Sequence, residues 1–306
     1  FGPDTNASTG FDRTMYQVEL PKNDADSLRE AFKALRDYAD GNLFLPEEIE
    51  QERGVILAEK RDRDSAEYRA MLAEFGFLLP ATIIPQRLPI GTEEVIRSAP
   101  REQFLDYYNT WYRPERMALV VVGQVEPAAV APLIAAAFGD MKAQAPARPE
   151  PELGRVEMPA EVRALVHRDP ELPRISIGIQ TVAPYAFEPD TAATRLKYLP
   201  RQLAATMFNR RLEELAKKEG APFTSASVHT SEMLDFLTNS SIDIATTKPE
   251  QWRAALAVAE QELRRALTHG FQPAELREAT ANMANALDDA VKQAPTRRSP
   301  GLAAGL

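Results

Sequence analysis

Two glutamates in the stretch "ERGVILAEK", Glu52 and Glu59, are the residues whose type and spacing first point to chemistry. They lie in "FLPEEIEQERGVILAEKRDRDS" (44–65), which reads as a helix of about four turns. Pro46 suits its first position, where a missing N–H has no partner to lose. Glu47 and Glu48 sit where the helix dipole favours negative charge, Arg61 and Arg63 where it favours positive charge. On a 3.6-residue period Leu45, Ile49, Val55 and Ile56 mark an apolar arc, and both glutamates fall inside it. A carboxylate on a core-facing stripe must be paired, hydrogen-bonded, neutralised or bound to a metal, because burying a lone charge is costly. The plainer alternative is that both reach water from the edge of the arc. Their Cα atoms stand about 10 Å apart on a helix, so they cannot play the same part. One could touch a metal while the other supports it from behind.

Little else in the chain can be assembled into a site. The three histidines, His167, His229 and His269, are beyond helical reach of one another and lie in no H-E-x-x-H or H-x-x-E-H pattern. His269, beside Gly270, is placed to complement the end of a helix, and His167 and His229 flank or occupy strands. There is no G-x-S-x-G elbow. Cysteine is absent, which removes disulfides, thiolate catalysis and thiolate zinc sites.

The elements that must position these residues follow a repeated grammar of strand, turn and amphipathic helix. It appears at 13–39, with a strand from Met15 to Leu20 and Asp24 or Asp26 as helix cap. It appears again at 117–141, where "MALVVVGQV" reads as an apolar strand central in its sheet and Pro127 opens a helix stopping near Gly139. The third copy, 240–271, has Ile242 and Ile244 on one strand face, Pro249 near the helix start and Gly270 as the C-terminal cap. Another strand is read at 174–184. Thr92 is read as the cap of a short helix, and the aromatic cluster Phe104, Tyr107, Tyr108, Trp111 and Tyr112 as packing. A Pro-rich, charged stretch without period has the composition of a linker. The reading is α+β: two similar modules, 1–145 and 161–306, joined by 146–160, each an antiparallel sheet packed against helices.

At 306 residues and 44% hydrophobic the chain is long enough for two domains. Its net charge of −9 argues against nucleic acid as partner, and no apolar run is long enough for membrane insertion. The sequence opens without an initiator Met or signal peptide and closes on "TRRSPGLAAGL", so it is expected to be a piece of something longer.

Several segments, in order, resemble the pitrilysin/insulinase (M16) group of zinc metallopeptidases, which includes the mitochondrial processing peptidases. They are "FGPDTNASTGFDRTMYQVELP" (1–21), "EEIEQERGVILAEKR" (47–61), "RLPIGTEEVIRS" (87–98), "FLDYYNTWYRPERMALVVVGQV" (104–125) and "AAAFGDM" (135–141). "MFNRRLEELAKKEGAPFTSAS" (207–227) and "THGFQPAEL" (268–276) match more loosely. The resemblance implies that Glu59 is the downstream zinc ligand and Glu52 its supporting carboxylate. It implies that Asn6, Ala7, Ser8 and Thr9 form an edge strand to which an extended substrate adds through main-chain hydrogen bonds. Three protein ligands would leave a fourth zinc position open for water. The family's H-x-x-E-H helix, which supplies two imidazoles and the general-base Glu, is absent here and is expected upstream.

The expectation is therefore an inactive, metal-free piece of a zinc endopeptidase acting on peptides or unfolded proteins, completed by a second half or a homologous subunit. The competing reading within the family is a non-catalytic peptide-binding or partner subunit, and outside it a plain αβ assembly domain. The resemblance places the protein in the periplasm, with the cytoplasm as the alternative.

Overall fold

The computed structural model describes residues 5–246 and 248–304. Residues 1–4, which open the segment quoted above, and Thr247 in the third repeat lie outside the described residues. The chain begins with the hairpin β1 (Thr5–Thr9) and β2 (Thr14–Val18), followed by helices α1 (Ala25–Asp40), α2 (Pro46–Asp62) and α3 (Ala66–Leu78). Three more helices follow, α4 (Glu93–Ser98), α5 (Arg101–Trp111) and α6 (Pro127–Phe138). Then come β3 (Ile175–Pro184), α7 (Ala192–Ala216), β4 (Ser225–Met233), β5 (Leu237–Thr246), α8 (Trp252–His269), α9 (Pro273–Gln293) and α10 (Ser299–Ala304). The fold is α+β, with small antiparallel sheets packed against helices.

Two compact units divide the chain. The first is Phe1–Asp64, Gln86–Leu153 and Pro295–Leu306, the second Ser65–Pro85 and Gly154–Ala294.

In the first unit, Asp24 accepts from the Ser27 N–H at 2.9 Å and starts α1, as its residue type predicts. Leu28, Ala31 and Phe32 then fall on one face and are buried. Leu28, Phe32 and Val130 of α6 form a small core that takes in Leu20, Val121, Val125 and Phe138. Tyr16 of β2 stacks on Tyr38 of α1, with centroids 4.9 Å apart, and its hydroxyl meets that of Tyr112 at 2.8 Å. Burial and that contact push the Tyr16 phenol well above the ordinary range. The Pro-rich stretch is irregular yet anchored: Arg113 donates to the Ala145 carbonyl at 2.5 Å, Gln144 to the Asp40 carbonyl at 2.9 Å, and Arg148 pairs with Asp106.

The expected central strand at 117–125 does not form. Strand geometry requires a neighbouring backbone to take up its N–H and C=O groups, and among the described residues none lies alongside. Val121 and Val125 pack against the core, while Met117, Leu119 and Val120 stay exposed.

The second unit has a three-stranded antiparallel sheet in the order β3-β5-β4. Ile177 and Ala226 flank Ile244, and Ile179 and Val228 flank Ile242, so one face is apolar. Against it lie Phe208 and Leu212 of α7 with Ala255 and Ala259 of α8. Residues 65–85 join this unit through Gly154, whose backbone passes so close to Ala81 and Thr82 that any Cβ would clash, at 2.2 Å from the Ala81 oxygen. Gly270 caps α8 at φ 66°.

Beneath the helices, Arg211 donates to Glu275 at 2.5 and 2.7 Å, to Glu262 at 3.1 Å and to the Gly270 carbonyl at 3.1 Å. Its guanidinium, together with the Gln272 N–H at the start of α9, holds the Glu275 carboxyl at about 2 against the opposing effect of burial. A depressed carboxylate stabilises the fold above its unfolded pKa, near 4.5, and that contribution is lost as pH falls towards about 2. We expect Glu275→Gln to cost roughly 2–3 kcal/mol near neutral pH in urea denaturation. The gap to the wild type should narrow as the pH is taken from about 5 to about 3. A gap that stays constant over that range would remove the carboxylate from the account.

Candidate functional site

α2 carries the two glutamates, and its entry is bent by Phe44, at φ 49°. That left-handed conformation is unfavourable for a bulky residue. It is held by Arg101, which donates to the Leu43 and Phe44 carbonyls at 2.9 and 2.7 Å. The Phe44 ring also packs on Tyr108, with centroids 5.1 Å apart.

The half-buried face of α2 is Ile49, Arg53, Ile56, Leu57 and Lys60, and the helix buries no residue fully. Arg53 reaches the carbonyls that end α4, Ile96 at 2.5 Å and Ala99 at 2.6 Å. Lys60 donates to the Gly91 carbonyl at 2.9 Å, just before α4 begins. These contacts correct the apolar arc read from Leu45, Ile49, Val55 and Ile56. The inward stripe is displaced by about one residue because two long cationic side chains bury their stems and place their heads on backbone oxygens. The signal was available, since Arg53 stands four residues after Ile49 and three before Ile56.

Glu48, Glu52, Val55 and Glu59 consequently share an exposed stripe. The Glu59 side chain is 46% exposed and pairs with Arg63, one turn later. Neither glutamate is a buried charge needing compensation; the plainer of the two sequence alternatives describes them here.

β1 is exposed along all five residues and, among the described residues, pairs on one side only, with β2, in the register Asn6↔Gln17, Ala7↔Tyr16, Ser8↔Met15 and Thr9↔Thr14. Tyr16 thus anchors the strand on which β1 hangs.

All three histidines belong to the second unit, while Glu59 belongs to the first. Among the described residues no three His, Cys, Asp or Glu side chains gather into a group that could hold a metal. A single exposed carboxylate does not supply a zinc donor set, so the residues present do not fit the family's catalytic zinc, and no chemical step is derived through it.

Residues 98–283 match the family model described as the peptidase M16 inactive domain, and residues 1–82 match that of insulinase, peptidase family M16. The probable zinc protease PqqL of Escherichia coli K12 is 34% identical over 126 residues, 41% of this chain and 14% of that protein. The zinc protease PQQL-like of Arabidopsis thaliana is 28% identical over 235 residues, 74% of this chain and 24% of that protein. The chain thus spans a quarter or less of the length of these curated relatives. The crystal structure of the first half of the periplasmic protease PqqL from Escherichia coli superposes with a TM-score of 0.89 at 24% identity, covering 99% of this chain and 64% of that one. That likeness establishes the fold.

Arg53 should therefore matter to α2 and Glu59 should not. Arg53→Ala is expected to cost about 1.5–3 kcal/mol in chemical denaturation, the range for hydrogen bonds from a charged donor. Glu59→Gln should stay within about 0.5 kcal/mol. Equal losses in the two variants would contradict this assignment of the inward face.

Proposed function

Because the chain belongs to the M16 peptidase family, we propose that it is part of a zinc-dependent metalloendopeptidase that hydrolyses extended peptides, and that by itself it is inactive. The observation that carries the reading is β1, an exposed strand with one free edge on a family scaffold. An extended peptide adding there would gain main-chain hydrogen bonds at each second residue. The small side chains of Asn6, Ala7, Ser8 and Thr9 obstruct the approach little, so such a site would take many sequences. Within a longer protein Glu59 would complete a zinc site whose imidazoles and general base come from residues upstream, and Glu52 would support it. The proposed modules, 1–145 and 161–306 about the 146–160 linker, would be two peptidase-like domains. The match of 98–283 to an inactive-domain model favours a second reading, a non-catalytic subunit that binds peptide or completes a partner. A degenerate H-x-x-E-H in the longer protein would decide for it.

We place the protein in the periplasm, the compartment named for the Escherichia coli structural relative. Among the described residues no helix is long and apolar enough to cross a membrane. Leu43, Val55 and Tyr107 of the first unit are 58–67% exposed, as a face covered by a second half or homologous subunit would be. The isolated chain should therefore self-associate in sedimentation; a strict monomer at every concentration argues against a missing cover.

Two measurements test the proposed activity. A labelled unstructured peptide should bind this chain in fluorescence anisotropy, and N-methylation of its alternate amides should abolish binding while side-chain changes alter it little. The opposite pattern excludes strand addition. The longer gene product should cleave peptides and lose both cleavage and one equivalent of zinc in its Glu59→Gln variant. Retained zinc and activity in that variant would remove Glu59 from the site.

A further inference from the structure

The two edges of the second sheet are finished differently. In β4 the Val228 N–H donates to Asn209 Oδ1 at 2.6 Å, and Asn209 Nδ2 donates to the Val228 carbonyl at 3.0 Å. One carboxamide from α7 thus takes the place of a neighbouring strand and covers that edge. Among the described residues no strand pairs with the outer side of β3, the opposite edge.

The Asn209 contact also fixes which groups β3 leaves open. Val228 turns its N–H and C=O away from β5, so Ile242, its partner, turns its own towards β3. Ile179, opposite Ile242, therefore bonds inward, as do its alternates. The Tyr185 N–H continues that set by donating to the Phe236 carbonyl at 2.9 Å. Ser176, Gly178, Gln180 and Val182 point their main-chain groups outward.

Nothing in the sequence blunts this edge. β3 has ten residues, pairs with β5 without a bulge, contains no charged residue and has its one proline at the end. Natural edges resist addition by charge, proline, bulge or cover. Its side chains alternate, with Ile177 and Ile179 on the face packed against α7 and α8 and Ser176 and Gln180 on the other. The Gln180 carboxamide is engaged within its own copy, donating to Glu74 at 2.5 Å and accepting from Asn239 at 3.1 Å.

Such a strand complements itself. Turned about a two-fold axis normal to the sheet at Ile179, β3 of a second copy runs antiparallel, with Ser176 facing its Val182 and Gly178 its Gln180. Every outward N–H and C=O then finds a partner, about eight hydrogen bonds in all, and the apolar faces of both sheets stay on one side. Each copy carries a net charge of −9, which repels at a distance, but this edge opposes no like charges. We propose that β3 is a docking edge for β3 of a second copy, joining two three-stranded sheets into one. The pairing does not rest on the peptidase reading.

The chain has no cysteine, so introduced thiols report the register. Facing residues in such a pair have Cα atoms about 5.5 Å apart, within disulfide range. An oxidised mixture of Ser176→Cys and Val182→Cys chains should give cross-linked dimer in several-fold higher yield than either variant alone. Gln180→Pro removes an outward N–H and leaves the β5 ladder intact. Added to both chains it should lower that yield several-fold, whereas Gln180→Ala, which loses the same side chain, should not; circular dichroism checks the fold of each. Equal yields in mixed and single oxidations, or a yield insensitive to Gln180→Pro, overturn the pairing. A dimer in sedimentation that does not cross-link seats the second copy elsewhere and overturns it too. Protection of the Gly178 and Gln180 amides from exchange by an added unstructured peptide, but not by raised protein concentration, gives the edge to a peptide and does the same.

Discussion

One guanidinium decides which face of α2 turns inward. α4 has only six residues, so most of its carbonyls lack an intrahelical partner. Arg53 takes two of them at the C-terminal end, where the helix dipole also favours a cation. Two such bonds, at about 1.5–3 kcal/mol each, outweigh the roughly 1.5–3 kcal/mol from burying a Val55-sized side chain. Lys60 supplies a second fixed point two turns along, which removes the remaining freedom of rotation and register. Once Arg53 and Lys60 face α4, Glu52, Val55 and Glu59 must face away together.

The same device recurs through the first unit. Arg36 reaches the Ala137 carbonyl and pairs with Asp40 and Asp140; Arg101 holds the bend at Phe44; Arg113 holds the Pro-rich stretch. The apolar core there is built on Leu28, Phe32 and Val130, so polar side chains whose stems pack and whose heads meet carbonyls join its elements. The second unit is built otherwise. Leu212, Ala255 and Ala259 are completely buried against Ile242 and Ile244, and the small alanines let α8 lie close to the sheet. Arg211 there serves a buried network rather than replacing a core.

This contrast explains what was legible in the sequence. Features determined within a few residues were readable: the caps at Asp24, Thr92 and Gly270, the proline starting α6, and the alternation of Ile242 and Ile244. The antiparallel α+β character followed from them. The face of α2 was misread because only apolar residues were counted toward the inward arc, although the stems of Arg53 and Lys60 pack there. The run at 117–125 was misread because strand propensity describes one segment while a ladder needs two. The grouping of residues 65–85 with the second unit depends on partners far along the chain, Gly154, Asp169 and Gln180 among them, and the meeting of His229 with Ser241 and Asp243 depends on strand register. Neither is visible in local pattern.

Exposure changes what position 59 can be. A carboxylate sealed in a core would be committed to its partners, and releasing it would cost several kcal/mol. Glu59 instead forms an i,i+4 pair with Arg63 on the surface, a contact worth at most about 1 kcal/mol. A cation presented with its other ligands already in place would displace Arg63 at little cost, and the two-point attachment through Arg53 and Lys60 would keep the helix still while it did. Among the described residues no other metal-donor side chains gather with Glu59. The physical requirement on any completing segment is therefore specific. If Glu59 is a zinc ligand as proposed, such a segment would have to lie over the open stripe of α2, cover Val55, and bring nitrogen donors within bonding reach of one loosely held carboxylate.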